Sequence, residues 1–311
     1  MIASLALALG LATVPPPPCN TELVVLGAGQ DAGAPQLGNP SDPAWSDPEK
    51  ALYATSLGLV DWAQQKRYLF EATPDIGAQL QALYAIKPLA RDDGSLDLDG
   101  IFLTHAHMGH YAGLLELGFE SADTKAVPVF AMQRMATFLA ANGPWSQLID
   151  KGNIAVTILE DDSPRQVDAT IAVVPMRVPH RDEFSETVGY SVLTGGRSFF
   201  FLPDIDSFDT WEAQGGPRLE ALVAAHDLVF IDSTFFDDDE LDRDMSAIPH
   251  PRTKATMERL AALPAEQRAK VQFIHYNHSN PIRDAGSPQA QRVVEAGFNV
   301  ARRGDRHCLD Q

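Results

Sequence analysis

The chain has 311 residues, 45% of them hydrophobic and 21% charged, so it can build the packed core of one large or two small domains. Its formal net charge of −18 makes an acidic surface that repels polyanions, which argues against nucleic acid as the main substrate. We therefore expect a globular protein that acts on a small molecule.

The first 19 residues differ from the rest. An apolar run from Ile2 to Val14 precedes four prolines and Cys19, and no Lys or Arg occurs before Lys50. The run is too short to span a bilayer, but it resembles the apolar region of a secretory signal without its usual basic start. We expect residues 1–19 to be a signal segment of a periplasmic or extracellular protein. A disordered tail or a mis-assigned start on a cytoplasmic protein is the alternative.

Residues 20–311 are expected to form a single domain without a transmembrane anchor, and the sequence does not indicate an oligomeric state. Cys19 and Cys308 are the only cysteines of the chain. If the protein is exported, they could form one bridge between the two ends of the chain.

Apolar runs that end at turn residues predict most of the regular structure. Two successive halves of strands and helices predict an α/β (α+β) fold, in which two sheets lie between layers of helices. Strands are predicted at residues 21–27, 56–60, 67–71, 100–103, 127–131, 154–159, 169–178, 187–194, 198–202, 228–231, 271–274 and 298–301. Helices are predicted at residues 76–86, 133–141, 219–226, 253–263 and 288–296.

The first predicted strand runs into a glycine turn, Gly27-Ala28-Gly29, which fits the dinucleotide-binding fingerprint loosely. That fingerprint requires a helix directly after the glycines. Gly33 and Pro35 follow instead, so we do not expect a dinucleotide site here.

Three histidines fall within six residues directly after the predicted strand 100–103. His105 and His107 point the same way if the chain is still extended, because side chains there repeat every two residues. His110 returns to the same place if a helix begins after them. Imidazole is the commonest side-chain ligand of zinc and similar metals, so this stretch predicts a metal site rather than a run of surface histidines.

Further polar side chains follow other predicted strands. His180, Asp204 and Asp232 each come at or just after a strand end, and His275 and His278 follow the strand 271–274. Because α/β folds build their sites at the carboxyl ends of sheet strands, we expect these side chains to converge on the histidine stretch.

This order of His-x-His-x-x-His, a lone His, a strand-end Asp and a final strand-end His resembles the metallo-β-lactamase superfamily. The segments 25–36, 71–75 and 273–281 also resemble the branch that contains pyrroloquinoline-quinone biosynthesis protein B, and the resemblance covers about residues 22–285. It implies a four-layer αβ/βα sandwich with a metal site between the two sheets.

The resemblance also implies a set of metal ligands. His105, His107 and His180 match the ligands of a first metal, His110 matches a ligand of a second metal, and Asp204 matches the carboxylate that bridges both. We expect one or two zinc ions, with iron or manganese as alternatives for a mixed set of His and Asp ligands.

The final ligand and one other position are less regular. We favour His278 as the final ligand because it lies past the strand on the turn, and His275 is the alternative. Superfamily hydrolases usually carry His-x-His-x-Asp-His, and Gly109 stands where that Asp belongs. The second metal then has three protein ligands at best, which is still workable for zinc but leaves a single-metal site as an alternative.

The biosynthesis proteins depart from the superfamily in another way. They tend to lose the His-x-His pair and to carry a cysteine cluster after the first glycine turn. This chain keeps His105 and His107 and has no cysteine there. It therefore resembles a metal-retaining relative, and we do not transfer the quinone pathway to it.

These residues predict a metal-dependent hydrolase, in which a metal-activated water attacks an ester, lactone, amide or phosphodiester. His250, just before a predicted helix, resembles the proton donor of RNase Z-like and phosphodiesterase-like members, so His250 and Asp204 are the candidate catalytic residues. A helix-capping surface histidine is the alternative for His250. Rival functions are an iron-dependent oxygen-using enzyme and a quinone-related carrier or binding protein.

Overall fold

The structure of the protein is a computed structural model that describes residues 19–86 and 96–310, so the predicted signal segment lies outside the described residues except for Cys19. The strands are β1 (Thr21–Gly27), β2 (Ser56–Asp61), β3 (Lys66–Phe70), β4 (Gly100–Phe102), β5 (Val127–Ala131), β6 (Ile154–Ile158), β7 (Arg165–Gln166), β8 (Ala172–Arg177), β9 (Val188–Leu193), β10 (Ser198–Leu202), β11 (Leu228–Asp232), β12 (Val271–Ile274), β13 (Asn299–Val300) and β14 (Arg306–Cys308).

The helices are α1 (Ile76–Ile86), α2 (Met108–Tyr111), α3 (Gln133–Ala141), α4 (Trp145–Asp150), α5 (Phe208–Ala213), α6 (Leu219–Ala225), α7 (Thr253–Leu260), α8 (Ala265–Arg268) and α9 (Pro288–Glu295). Short 3-10 turns lie at Pro43–Trp45, Pro48–Lys50, Ala112–Leu117 and Pro281–Arg283. Across the described ranges, none of the helices combines the length and the apolar composition needed to cross a bilayer.

The strands form two seven-stranded sheets with the same pairing pattern. The first sheet has the order β14-β1-β2-β3-β4-β5-β6, and the second has the order β13-β12-β11-β10-β9-β8-β7. Each sheet has three antiparallel pairs in one half and three parallel pairs in the other, and the two halves meet at β3 in the first sheet and at β10 in the second. The parallel half of each sheet therefore directs its carboxyl ends to one edge, where loops can build a site.

The two sheets pack face to face through aromatic side chains that alternate along the strands. Phe70, Phe102 and Phe130 lie on three adjacent strands of the first sheet, and their rings stack at 4.9 and 4.6 Å between centroids. Tyr190 and Phe199 of the second sheet meet the ring of Phe70 edge-on at 5.9 and 5.5 Å. All of these rings are buried, so the interface between the sheets is the main core.

Helices cover the outer face of each sheet. The residues that alternate with the aromatic rings, such as Leu69 and Ile101, pack in a second apolar cluster with Ile76 and Leu83 of α1. On the second sheet, Phe200 stacks against a tryptophan of α5. The result is the four-layer αβ/βα sandwich that the sequence predicts.

The sequence analysis does not predict the short elements α4, α5, α8, β7 and β14, because a stretch of six residues or fewer shows too little periodicity to identify. Strand β14 matters most, since it pairs antiparallel with β1 and brings Cys308 opposite Glu22. Cys19 and Cys308 are joined there by a disulfide, with 5.7 Å between their Cα atoms. The sequence indicated that this bridge could form, and its presence in the structure places Cys19 with the folded domain rather than with the signal segment.

Candidate metal centre

The candidate site lies between the two sheets, beyond the carboxyl ends of their strands. The first sheet contributes His105, His107 and His110, which follow β4. The second sheet contributes Asp204, two residues after β10, and His275, directly after β12. Helix α2 begins at Met108 and returns His110 to the cluster, as the spacing of the three histidines requires.

Asp204 occupies the middle of the site. Its Oδ2 atom lies 3.1 Å from Nε2 of His110 and 3.2 Å from Nε2 of His275. Its Oδ1 atom lies 3.5 Å from Nε2 of His180, and Nε2 of His105 is 3.9 Å from Oδ2. The Asp204 side chain is only 3% exposed, so one buried carboxylate faces four imidazoles.

The atoms that could bind metal divide into groups whose members lie within 4.8 Å of one another. Asp204 belongs to a group with His105 and His110, and so joins the two groups that follow. One of these groups is His105, His107 and His180, and the other is Asp31, His110 and His275. The side chains are therefore arranged as they would be around two ions that share one carboxylate ligand.

The protein alone does not satisfy the polar atoms at the centre of this cluster. Nε2 of His110, Nε2 of His275 and Oδ2 of Asp204 are buried and make no hydrogen bond. Burying such atoms without a partner costs roughly 1–3 kcal/mol each. Imidazole nitrogens and carboxylate oxygens that converge on common points suit Zn²⁺, Fe²⁺ or Mn²⁺, so the residues present fit a metal centre.

Among the ligands of the expected first metal, two imidazoles are held by hydrogen bonds at Nδ1, the nitrogen that points away from the cluster. His180 donates from Nδ1 to Asp206 at 2.8 Å. His105 faces Thr104 with 2.9 Å between Nδ1 and Oγ1, and the Thr104 hydroxyl donates to Glu71 at 2.5 Å. A proton held on Nδ1 leaves the lone pair of Nε2 facing the cluster, which is how ligand histidines are oriented in metal proteins.

The imidazoles at the expected second metal also have polar groups behind them. Nδ1 of His275 lies 3.1 Å from Oγ1 of Thr234, and the Thr234 hydroxyl donates to Asp232 at 2.8 Å. Nδ1 of His110 lies 3.3 Å from Oε1 of Glu71. The Thr234 hydroxyl therefore fixes His275 from behind, and Nδ1 of His110 faces the Glu71 carboxylate, so Nε2 of each imidazole points inward.

The electrostatics of the site favour a bound cation. Burial, reinforced for His105 by the neighbouring His110, lowers the pKa of His105 and of His275 below the ordinary histidine value, so both are neutral, as metal ligands must be. Although burial opposes it, Glu71 and Asp204 raise the pKa of His110 well above that value. The pKa of Asp204 is held well below its usual range by His275 and His110, against the effect of burial.

Backbone strain is concentrated at the site. Among the described residues, eight non-glycine residues have positive φ, and four of them lie at the cluster: Asp31 at 36°, Glu71 at 71°, His250 at 142° and His275 at 63°. Such conformations cost of order 1–3 kcal/mol each and persist where the surrounding structure enforces them. The fold therefore holds these side chains in fixed positions at the expense of local stability.

His250 lies beside the cluster rather than on the surface. Its Nδ1 donates to Asp232 at 2.7 Å and lies 3.9 Å from Oδ1 of Asp204, and its side chain is 8% exposed. Against the effect of burial, Asp232 raises the pKa of His250 above the ordinary histidine value. Helix α7 begins three residues later with Arg252 at its N-cap position, so the helix-capping alternative for His250 does not hold.

A cleft of about 620 Å³ opens next to His250. Gln30, Arg181, Arg243 and His278 also line it. Nη2 of Arg181 lies 3.4 Å from Nδ1 of His107, so this cleft reaches the histidine cluster. A small molecule in the cleft would lie beside the candidate ion positions.

The preference for His278 over His275 is revised by the structure. In the part of the chain that the structure describes, none of the ligand groups contains His278, which lies in the cleft wall with its backbone carbonyl accepting from Arg283. His275 faces Asp204 instead, because its φ of 63° turns the side chain back toward the site. Both histidines follow the same strand, so their position in the sequence does not show which of them faces Asp204.

Two carboxylates at the site were not identified from the sequence. Asp31 belongs to the glycine-rich turn that was assessed only as a dinucleotide motif, yet its Oδ1 lies 3.3 Å from Nε2 of His110. Asp206 orients His180 from two residues beyond Asp204. The one available signal was the empty position Gly109, since a missing carboxylate leaves room for another to approach.

A four-layer sandwich with a histidine and carboxylate cluster between the carboxyl ends of its sheets defines the metallo-β-lactamase fold. Residues 66–276 match the family described as Beta-lactamase superfamily domain. The chain belongs to this family.

Relatives cover nearly the whole chain. Coenzyme PQQ synthesis protein B of Methylococcus capsulatus is 29% identical over 89% of this chain and 96% of that protein. The protein of the same name from Bradyrhizobium diazoefficiens is 25% identical over 92% and 99%. Zn²⁺-bound PqqB from Methylobacterium extorquens is similar in structure, with a TM-score of 0.73 at 20% identity over 92% of this chain and 99% of that chain. Human tRNase Z, short form, shares the fold with a TM-score of 0.55 at 15% identity over 93% and 100%.

Proposed function

We propose that the protein is a metal-dependent hydrolase with two ion positions. The observation that supports this most directly is the buried Asp204 carboxylate, which faces four imidazoles while the Nε2 atoms of His110 and His275 have no hydrogen-bond partner. His105, His107 and His180 would hold the first ion, His110 and His275 the second, and Asp204 would bridge them. Zinc is the expected metal because the ligands are mainly imidazoles.

Bound zinc would lower the pKa of a coordinated water to about 7 and polarise the electrophile. The protein's own residues do the rest. Asp206 and Thr234 keep His180 and His275 in the orientation that directs Nε2 inward. Asp232 holds Nδ1 of His250, which leaves Nε2 of that imidazole available to give a proton to a leaving group in the cleft.

The cleft indicates the kind of substrate. Arg181 and Arg243 bring two positive charges to its wall in a chain with a net charge of −18, and Asp242 provides one negative charge. Guanidinium groups bind phosphate and carboxylate oxygens in fixed geometry. We infer a small ester substrate with an anionic group next to the bond that is cleaved, and a phosphodiester fits this description.

Metal analysis combined with a substrate panel tests the proposal. The purified protein is expected to retain zinc after dialysis and to hydrolyse bis(p-nitrophenyl) phosphate faster than p-nitrophenyl acetate, relative to the uncatalysed rates. Removing the metal with a chelator should abolish hydrolysis, and adding zinc should restore it. Iron content with oxygen consumption would instead favour the oxygen-using alternative, and tight ligand binding without turnover would favour the carrier.

Replacing His250 by Ala tests its proposed role as proton donor. Turnover of a phosphodiester with a poor alkoxide leaving group is expected to fall by about 10²–10⁴-fold, because the leaving oxygen then departs without a proton. Turnover of the p-nitrophenyl ester should fall much less, since p-nitrophenolate needs no proton. Metal content serves as the control and should match the wild type. Equal losses with both substrates would contradict the role.

We infer that the protein works in an oxidising compartment. The support is the Cys19–Cys308 disulfide, because such bonds persist in exported proteins and are rare in the reducing cytosol. Titration of free thiols in protein isolated under alkylating conditions from its host would test this inference, and two free thiols per chain would contradict it.

A further inference from the structure

Gly109 is the position in the histidine stretch that lacks a side chain, and the structure shows what fills the space beside it. A Cβ atom built on Gly109 would lie 2.3 Å from Cα of Asp31 and 2.6 Å from its Oδ1. Real Cβ atoms do not approach other atoms this closely. Asp31 and any side chain at position 109 therefore exclude each other, and the carboxylate of Asp31 occupies the space that a side chain at 109 would need.

The Asp31 carboxylate is directed at the second ion position. Its Oδ1 lies 3.3 Å from Nε2 of His110, and its ligand atom forms a group with those of His110 and His275 within 4.8 Å. The Nε2 atoms of both histidines have no hydrogen-bond partner, and the two rings are almost inaccessible to solvent, so water does not satisfy these atoms either. Three potential ligand atoms from three distant parts of the chain thus face one point.

The loop that carries Asp31 is attached to the segment that carries His275. The Gln30 amide donates to the carbonyl of Tyr276 at 3.0 Å, and the Tyr276 amide donates to Ala28 at 3.0 Å. Gly29 forms isolated β-bridges with both Ala54, two residues before β2, and Tyr276, two residues after β12. Since Tyr276 directly follows His275, the loop and that histidine are held together as one unit across the two sheets.

We propose that Asp31 is a ligand of the second metal ion and replaces the carboxylate that position 109 lacks. This inference rests on the two-metal site of the proposed function. The second ion then has Asp31, His110, His275 and Asp204 as protein ligands, two nitrogens and two oxygens. The first has three imidazoles and Asp204. Because oxygen ligands suit harder ions, the second position accepts Mn²⁺ or Fe²⁺ more readily than the first.

The test removes the charge of the Asp31 carboxylate and measures bound metal directly. Wild-type protein is expected to bind two Zn²⁺ per chain. Asp31→Asn, which preserves shape, should keep one ion and weaken the second by at least about 10²-fold, because loss of a ligand costs no less than loss of the groups that orient ligands. Gly109→Asp should displace the Asp31 loop, because the new Cβ atom would lie 2.3 Å from Cα of residue 31.

Metal analysis, zinc titration and the visible spectrum of the Co²⁺-substituted protein give readouts that do not depend on turnover. Asp150→Asn, on the surface at the end of α4, removes the same charge and should bind two ions as the wild type does. If wild type binds two ions and Asp31→Asn binds both with unchanged affinity, the role of Asp31 is overturned while the hydrolase proposal stands. If wild type binds one ion, the second position and the role of Asp31 both fail; if it binds none, the proposed function fails as well.

Discussion

Replacing Asp204 by Asn is expected to remove both metal ions and to reduce hydrolysis to the background rate. The carboxylate faces His105, His110, His180 and His275, and among the described residues no other carboxylate lies in ion-pair contact with all four. Asparagine preserves the shape but removes the negative charge and directs an amide group at the ions. We expect the affinity for zinc to fall by more than about 10²-fold, the cost of losing a group that merely orients a ligand. Metal content after dialysis and the rate of phosphodiester hydrolysis measure both effects.

A graded control separates this effect from a general loss of charge. Asp206→Ala leaves every proposed ligand in place but removes the acceptor for Nδ1 of His180, so we expect a partial loss of affinity of about 10–100-fold. Circular dichroism should show that both variants remain folded. Wild-type zinc content in Asp204→Asn would refute the bridging role, because the two ion positions would then not share this carboxylate.

The sequence predicted the parts of the site that depend on local spacing. His105 and His107 share a direction because the chain remains extended after β4, and His110 returns through α2. The apolar runs of β4, β10 and β12 have lengths and endings that identify buried strands, and the residues at their ends meet because the strands belong to parallel halves of two packed sheets. The succession of strands and helices in two halves made the layered arrangement predictable.

The rest of the site depends on contacts between distant segments. Asp31 and Gly109 are 78 positions apart, and nothing near either residue indicates that the glycine turn after β1 approaches the histidine stretch. The choice between His275 and His278 depends on one backbone angle, the positive φ of His275, which the hydrogen bonds of the neighbouring Tyr276 help to enforce. Local patterns contain neither kind of information. A cluster of this type is therefore predictable where its residues follow local spacing and less so where distant segments meet.

Removing the disulfide is expected to cause the largest loss of stability. In the protein with both Cys19 and Cys308 replaced by Ser, the free energy of unfolding should fall by about 3–5 kcal/mol, because the bond closes a loop of 289 positions and so restricts the unfolded chain. Urea unfolding in the absence of reductant measures the difference. Wild-type protein in dithiothreitol is the matched control and should unfold like the Ser variant.

The same variant should keep its metal site. Strand β14 remains joined to β1 by the Leu309 amide, which donates to Thr21 at 2.8 Å, and by the Arg306–Glu22 ion pair at 2.5 Å. The glycine turn that carries Asp31 continues from the far end of β1, so these contacts are sufficient to hold it in the folded state. We expect unchanged zinc stoichiometry together with reduced stability. Equal unfolding free energies with and without reductant would show that the bond contributes nothing, whereas loss of zinc in the folded variant would show that the site depends on the disulfide.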